Sequence, residues 1–180
     1  MIILLGASAS GKTEVCKELV KNYGYKKLVT YTTREKRVGE VDGVDYNFID
    51  STTFKERIDK GFFFEYVSYN GNFYGTARKD IDDNTVLIVE PNGFKAYRDS
   101  SLPNIISFYL ESDEAHRTLW MRKRGDPEDK ISSRIINDRI SFKSENIEGV
   151  TYSLNSNDLS IENLALMVND IYKNRIKLVK

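Results

Sequence analysis

Gly6-Ala7-Ser8-Ala9-Ser10-Gly11-Lys12-Thr13 follows the apolar run Ile2-Ile3-Leu4-Leu5 and leads into a segment of helical periodicity from Glu14 to Tyr23. Its spacing, G-x-x-x-x-G-K-[ST], has a mechanical meaning. The glycines let successive backbone N–H groups curl around phosphate oxygens, the lysine reaches the β- and γ-phosphates, and the hydroxyl of Thr13 is offered to Mg²⁺. The helix N-terminus adds a favourable dipole. Ile2 to Leu5 reads as a strand, Val15, Leu19, Val20 and Tyr23 share one side of the helix, and Gly24 stops it. Strand, loop and helix in that order are the setting the motif requires, so Gly6, Ala7, Ser8, Ala9, Ser10, Gly11, Lys12 and Thr13 are read as a phosphate-binding P-loop. An ordinary Gly/Ser turn would leave the flanking pattern unexplained.

The rest of the composition narrows what such a loop serves. Lys plus Arg and Asp plus Glu both number 27 in 180 residues, so no global field attracts nucleic acid or an anionic membrane, and anion sites must come from local clustering. A small phosphate ligand is the expectation, with no nucleic-acid, membrane or obligate protein partner. One cysteine, Cys16, excludes an internal disulfide framework, and one histidine, His116, leaves no His/Cys set for zinc. Cys16 reads as a small packing residue and His116 as a surface residue. Met1 to Leu5 has no basic segment before it and no long apolar region, so it reads as a first strand rather than a signal peptide; a cytoplasmic protein is expected.

Along the chain, strand and helix patterns alternate. Besides the first strand, β-rich runs occur at Leu28 to Tyr31, Val86 to Val89, Ile105 to Leu110 and Val150 to Leu154, most of them apolar on consecutive residues, as in parallel strands covered on both faces. Ser51 can cap a short helix with Phe54 and Ile58 on one face and Gly61 at its end, and Ser112 another running through Arg124. Ile131, Ile135 and Phe142 line a further helix; Ile161, Leu164, Ala165, Val168, Ile171 and Tyr172 line the last. The expectation is an α/β layer fold with a parallel core sheet. Thr32 to about Asp83 breaks this pattern: a basic, Gly-punctuated loop, Tyr46 to Ile49, the Ser51 helix, and a hairpin from Phe63 to Tyr74 turning at Asn70-Gly71. About fifty residues is too long for a simple connection and reads as a substrate-holding insertion.

Across its start runs Thr30-Tyr31-Thr32-Thr33-Arg34-Glu35-Lys36-Arg37-Val38-Gly39-Glu40, continuing to Gly43-Val44-Asp45-Tyr46. Arg34 and Arg37, three apart in a loop, can converge on one phosphate dianion through forked, charge-assisted hydrogen bonds. Tyr46 and Tyr74 can add phenolic donors and Thr30 a hydroxyl. Taken singly, each of these could equally be a solvated turn residue. TTRxxRxGExxGxDYxF, the GxFxE of Gly61 to Glu65 and the GNxYGT of Gly71 to Thr76, in this order behind a P-loop, resemble the guanylate kinases, the enzymes that phosphorylate GMP. The resemblance extends over nearly the whole chain, through Arg124-Gly125-Asp126 and Ile131-x-x-Arg134-Ile135, which look like that family's mobile lid.

The resemblance implies a P-loop kinase three-layer fold in a single domain over 1–180: core 1–31, 84–121 and 141–180, an inserted mixed or antiparallel GMP-binding subdomain at about 32–83, and a helical lid at about 122–140. It implies transfer of the γ-phosphoryl group of MgATP to GMP or dGMP. Thr30, Arg34, Arg37, Tyr46 and Tyr74 would hold the acceptor's phosphate. Glu65 would accept the N1–H and 2-amino donors of guanine, with Thr76 beside it and Glu40 at the nucleotide site. Lys12, Arg34, Arg124 and Arg134 would be catalytic, closing positive charge around the transferring group, and Asn155 would lie near the ATP sugar and base. Arg122, Lys123 and Arg139 read instead as exposed helix charges. Three departures stand out. Where the family shows an acidic pair after the Val86 to Val89 strand, this chain has Ile88 and then Glu90, which keeps only the second acid; Trp120 replaces a lid arginine, for which Arg117 or Arg122 could substitute; and Asn155-Ser156-Asn157-Asp158 carries one inserted residue. Two other functions stay open: a P-loop kinase of the same build acting on another small phosphorylated acceptor, and a non-catalytic guanylate-kinase-like module that binds phosphopeptides. The intact Lys12 and Thr13 weigh against the second.

Overall fold

A computed structural model describes residues 1–69, 71–78 and 81–178. The first strand, β1 (Ile2–Leu5), is buried on every residue. Ile2 and Leu4 face a cluster with Val15, Leu19, Phe108, Leu164 and Val168. Ile3 and Leu5 face the opposite one, with Leu87, Val89, Phe94 and Tyr97. Alternate side chains of a strand point to opposite faces, so a strand covered on both sides must be apolar throughout; the run IILL is the sequence form of a three-layer architecture.

The P-loop follows β1 and enters α1 (Lys12–Tyr23), which ends at Gly24. The core sheet is wholly parallel, with β2 (Lys26–Lys27), β7 (Thr85–Ile88), β1, β8 (Ile106–Glu111) and β9 (Tyr152–Asn155) in spatial order. Helices α1 and α6 (Ile161–Leu178) cover one face and α3 (Pro91–Arg98) the other. Between β2 and β7 the chain builds a second, mixed sheet: β4 (Asn47–Phe48), β3 (Tyr31–Thr32), β6 (Asn72–Ala77) and β5 (Phe63–Tyr69), with α2 (Ser51–Asp59) packed on it. Its small core is aromatic. Phe54 of α2 stacks on Phe63 at 4.5 Å and Phe73 at 5.4 Å between ring centres. Helices α4 (Glu114–Lys123) and α5 (Glu128–Ser141) lie between β8 and β9.

Leu28 to Tyr31 is not one strand. Lys26 and Lys27 pair with Thr85 and Val86 in the core sheet, whereas Tyr31 and Thr32 pair with Gly75 and Tyr74 in the second. The apolar run is the crossing between two sheets, buried at Leu28 and Thr30 for that reason. Two caps also move by one residue. Asp50, not Ser51, caps α2, its carboxylate accepting from the Thr53 N–H at 2.9 Å; Asp113, not Ser112, precedes α4. Ser112 donates instead to Asn157 Oδ1 at 3.0 Å, a partner 45 residues away that no local rule anticipates. The Asn70-Gly71 turn falls partly outside the described residues, since Asn70 does; strands β5 and β6 pair on either side of it, from Tyr69 opposite Asn72 to Phe63 opposite Ala77.

Candidate functional site

The P-loop is held by close packing as much as by its own hydrogen bonds. At Gly6, φ is +155°, and a Cβ would lie 2.8 Å from the Leu110 carbonyl and 2.4 Å from Ser10 Oγ, so only glycine fits where β1 turns into the loop. Lys12 Nζ donates to the carbonyls of Gly6 and Ala7. Burial lowers its pKa, opposed by the nearby carboxylates of Glu90 and Asp138. Ser10 Oγ is buried and has no hydrogen-bond partner among the described residues. The loop borders a cavity of about 660 Å³ whose walls are Ala9 to Glu14 on one side and Ser112, His116, Trp120, Lys123, Arg124, Ser156, Asn157 and Leu159 on the other. An unpaired hydroxyl, a buried ammonium and a helix N-terminus facing one large cavity are a donor set suited to a polyphosphate. Asn155 is not on this wall. Its Oδ1 accepts the Asn157 N–H at 2.8 Å, and its neighbours Ser156 and Asn157 face the cavity. Trp120 and His116 stack with ring centres 6.1 Å apart, and the Trp120 indole donates to His116 Nε2; Trp120 remains 51% exposed.

A second, small cavity of about 30 Å³ is lined by Thr30, Tyr46, Glu65, Val67, Tyr74, Gly75, Ile88, Val89, Glu90 and Gly93. The second sheet and the end of β7 meet there. Antiparallel pairing sets Glu65 opposite Thr76, whose hydroxyl donates to Glu65 Oε1 at 2.6 Å. The other carboxylate oxygen would be 2.9 Å from a Cβ at position 93, so glycine there makes room for it. Glu65 is 8% exposed, and this burial pushes its pKa up to about 7 against the hydrogen bond from Thr76. Glu90 caps α3 just before Pro91. Its Oε2 is buried without a partner among the described residues, and burial raises its pKa to about 7 although Lys12 works in the opposite direction. Ile88 forms part of the same wall.

The loop before β4 and the segment from α4 to α5 supply the arginines. Arg34 Nη2 pairs with Glu40 at 2.7 Å and its guanidinium lies over the Tyr46 ring at 5.3 Å, while its Nε is buried and unpaired. Glu40 also accepts the Arg37 backbone N–H at 2.8 Å; burial works against the charge of Glu40, but these two partners outweigh it and lower its pKa. Arg37 is exposed. Its pKa is nonetheless lowered, first by the surrounding protein and then by the positive charges of Arg134, Arg34 and Arg124. Arg37 thus feels guanidinium groups of its own loop and of the segment that joins α4 to α5 and continues into α5. Asp126 holds two of them, Arg124 through both carboxylate oxygens and Arg134 at 2.6 Å. Arg122 and Arg139 point outward into exposed pairs with Glu128 and Glu114.

Two residues escaped sequence reading. Asp126 stands within a motif but gives no sign that it clamps two arginines. Asp138 continues the Ile131, Ile135, Phe142 stripe, at helical spacing from each, and is 1% exposed. An acid on an apolar stripe is the signal that it is paired. Its partner is Arg117, likewise buried on α4 and bonded at 2.7 Å. Arg117 is thus engaged in a buried ion pair, whereas Arg122 makes only an exposed one with Glu128.

A P-loop opening onto a polyphosphate-sized cavity, together with a second pocket lined by Glu65 and Glu90, is the arrangement of the P-loop kinases of small molecules. Solved structures agree on that fold: shikimate kinase from Acinetobacter baumannii is similar with a TM-score of 0.56 at 14% identity, over 97% of this chain and 93% of that one. The family model for guanylate kinase matches residues 1–171. Guanylate kinase from Syntrophus aciditrophicus is 33% identical over 165 residues, covering 88% of this chain and 79% of the relative; that from Oleidesulfovibrio alaskensis is 34% identical, covering 77% and 71%. The guanylate kinase structure from Anaplasma phagocytophilum superposes with a TM-score of 0.72 at 26% identity, over 97% of this chain and 85% of that one. The chain belongs to the guanylate kinase family.

Proposed function

We propose that this protein transfers the γ-phosphoryl group of ATP to the phosphate of GMP or dGMP, giving ADP and GDP or dGDP. Family membership supports the activity, and the single observation that carries the acceptor assignment is Glu65, a buried carboxylate on the wall of the second cavity with one oxygen held by Thr76 and the other beside Gly93. Guanine presents N1–H and the 2-amino group on one edge, and a carboxylate accepts both; adenine offers no such pair and would leave the buried group unsatisfied.

The division of labour follows from the two cavities. Gly6 to Thr13 takes the donor triphosphate, with loop amides and Lys12 on the β- and γ-phosphates; turning Lys12 from its own loop carbonyls to phosphate exchanges neutral acceptors for anionic ones. Arg34, Arg37, Tyr46, Tyr74 and Thr30 hold the acceptor's phosphate. Arg124 and Arg134, held by Asp126, bring positive charge to the group in transit, and Glu40 keeps Arg34 in place. The acceptor is already a dianion, so no general base is required and positioning plus charge supply the catalysis. Thr13, at the loop's end, and the unpaired oxygen of Glu90 fit Mg²⁺ and its bound waters. That ion, when bound, neutralises phosphate charge. Trp120 and His116 offer an aromatic wall to the donor base.

The test is an ADP-release assay over GMP, dGMP, IMP, AMP, CMP and UMP. Turnover is expected with GMP and dGMP; strong turnover with AMP, CMP or UMP and none with GMP would refute the proposal and make the apolar wall at Ile88 the mark of a different acceptor. Loss of activity in Lys12→Ala separates a kinase from a binding module.

A further inference from the structure

The Asp138 carboxylate joins three parts of the chain that are far apart in sequence. Its Oδ2 accepts the Ser8 backbone N–H at 3.0 Å and Arg117 Nη1 at 2.7 Å; its Oδ1 accepts the Ser8 hydroxyl at 3.3 Å and the Tyr69 hydroxyl at 2.7 Å. Arg117 completes the knot by donating to the Ser8 carbonyl at 3.3 Å and to the Ser112 carbonyl at 3.2 Å. Ser8 is therefore gripped on its N–H, its hydroxyl and its carbonyl by one ion pair. Side-chain exposure is 5% for Arg117 and 1% for Asp138. Burying two charges is costly, and well-packed apolar residues of similar volume commonly replace such a pair with no loss of stability, so bulk stability does not explain why a pair stands here. What it does is geometric. Ser8 belongs to the phosphate loop, Asp138 to α5, and Tyr69 to the last residue of β5 in the acceptor sheet.

We propose that Asp138 is a positioning residue that ties the acceptor sheet to the phosphate loop, so that seating the acceptor and shaping the donor loop are one event. The inference rests on the reading of the two cavities given above. The Tyr69 bond exists only while the hairpin lies against α5, and the same carboxylate sets the Ser8 backbone. A nucleotide that draws the hairpin inward thereby strengthens the arrangement the other nucleotide meets, and by linkage the effect is reciprocal.

Calorimetric titration of GMP, with and without a saturating non-hydrolysable ATP analogue, tests this on the full chain. In the wild type the analogue is expected to tighten GMP binding about tenfold, within the usual range for coupled sites. In Tyr69→Phe, which deletes one hydroxyl from a half-buried ring, that factor falls to about one or two, while each nucleotide alone binds within about threefold of wild type. A second variant separates positioning from folding. Arg117→Leu/Asp138→Ala replaces the ion pair by apolar groups; a melting temperature near that of the wild type, with the coupling still lost, supports the proposal. Wild-type protein that binds both nucleotides without coupling, Tyr69→Phe that retains the full factor, or a stable double variant that retains it, overturns the proposal and leaves the kinase reading intact. Failure of the wild type to bind GMP at all overturns both.

Discussion

Replacing Glu65 by glutamine should make the protein more stable and less active. The carboxyl is 8% exposed and burial raises its pKa from the ordinary 4.5 to about 7. A folded-state pKa above the unfolded one means that the folded form binds the proton more tightly. The associated stability is full below pH 4.5, declines as the unfolded chain ionises, and is lost once pH passes 7. At about 1.4 kcal/mol per pH unit, the folded protein at pH 8 carries a deficit of roughly 3 kcal/mol. Glutamine keeps an oxygen for the Thr76 hydroxyl and titrates nowhere, so Glu65→Gln should melt about 6–12 °C higher than wild type at pH 8, using about 2–4 °C per kcal/mol for a chain of this size, and with almost no difference at pH 4.5. Activity should move the other way. On the proposed reading, guanine's two donors each meet a charged acceptor in the wild type, worth about 1.5–3 kcal/mol apiece. The amide turns one acceptor into a donor, for a loss of roughly 3 kcal/mol, or about a hundredfold in kcat/KM for GMP. Calorimetric melts at pH 4.5 and 8 and an ADP-release assay at pH 8 read both effects. Wild-type GMP affinity should also rise from pH 6 to 8 as Glu65 ionises, and the variant should retain only the part due to the second phosphate ionisation near pH 6. A variant with wild-type kcat/KM, or one that melts below wild type at pH 8, would refute the reasoning.

Lys12→Ala is expected to lower kcat by about 10²–10³-fold in the same assay without lowering the melting temperature, because the ammonium it removes is buried at a desolvation cost. Trp120 is the chain's one tryptophan, so its fluorescence reports the donor cavity directly: an ATP analogue should change the emission saturably, and Trp120→Ala should raise the KM for ATP about tenfold, within the range for base stacking. No fluorescence change at saturation would remove Trp120 from the site. Asp126→Ala releases both Arg124 and Arg134, and kcat should fall about tenfold or more, with KM for GMP changing less; an equal loss in Glu128→Ala, whose partner is the exposed Arg122, would show the effect to be non-specific.

Local patterns carried much of the fold. Strand, glycine loop and helix from Ile2 to Tyr23 are specified by neighbours a few residues apart, and unbroken apolar runs reported a sheet covered on both faces. Short-range alternatives defeated the finer reading. Asp50 and Ser51 are both capping residues, and the carboxylate in the first position reaches Thr53 N–H; Leu28 to Tyr31 has strand composition but spans a gap between two sheets. At the site, Asn155 and Asn157 are the same residue type two positions apart, and only backbone direction after β9 decides that Asn157 lines the larger cavity while Asn155 bonds to its backbone.

The sequence by itself determined that a glycine-rich P-loop joins the first strand to the first helix, that basic and phenolic residues gather in the insertion, and that an acid stands in the first strand of the hairpin. These are statements about residue type and short spacing, and backbone geometry alone translates them into structure. The tertiary structure decided which groups are buried and what they meet: that Glu65 and Glu90 lose water and gain protons near neutrality, that Asp126 gathers two arginines, and that Asp138 and Arg117 bind Ser8 and Tyr69 into one knot. Partners separated by 130 residues, as Ser8 and Asp138 are, leave no local mark beyond an acid where a hydrophobe was due, because their energy depends on desolvation and contact that exist only once the chain has folded.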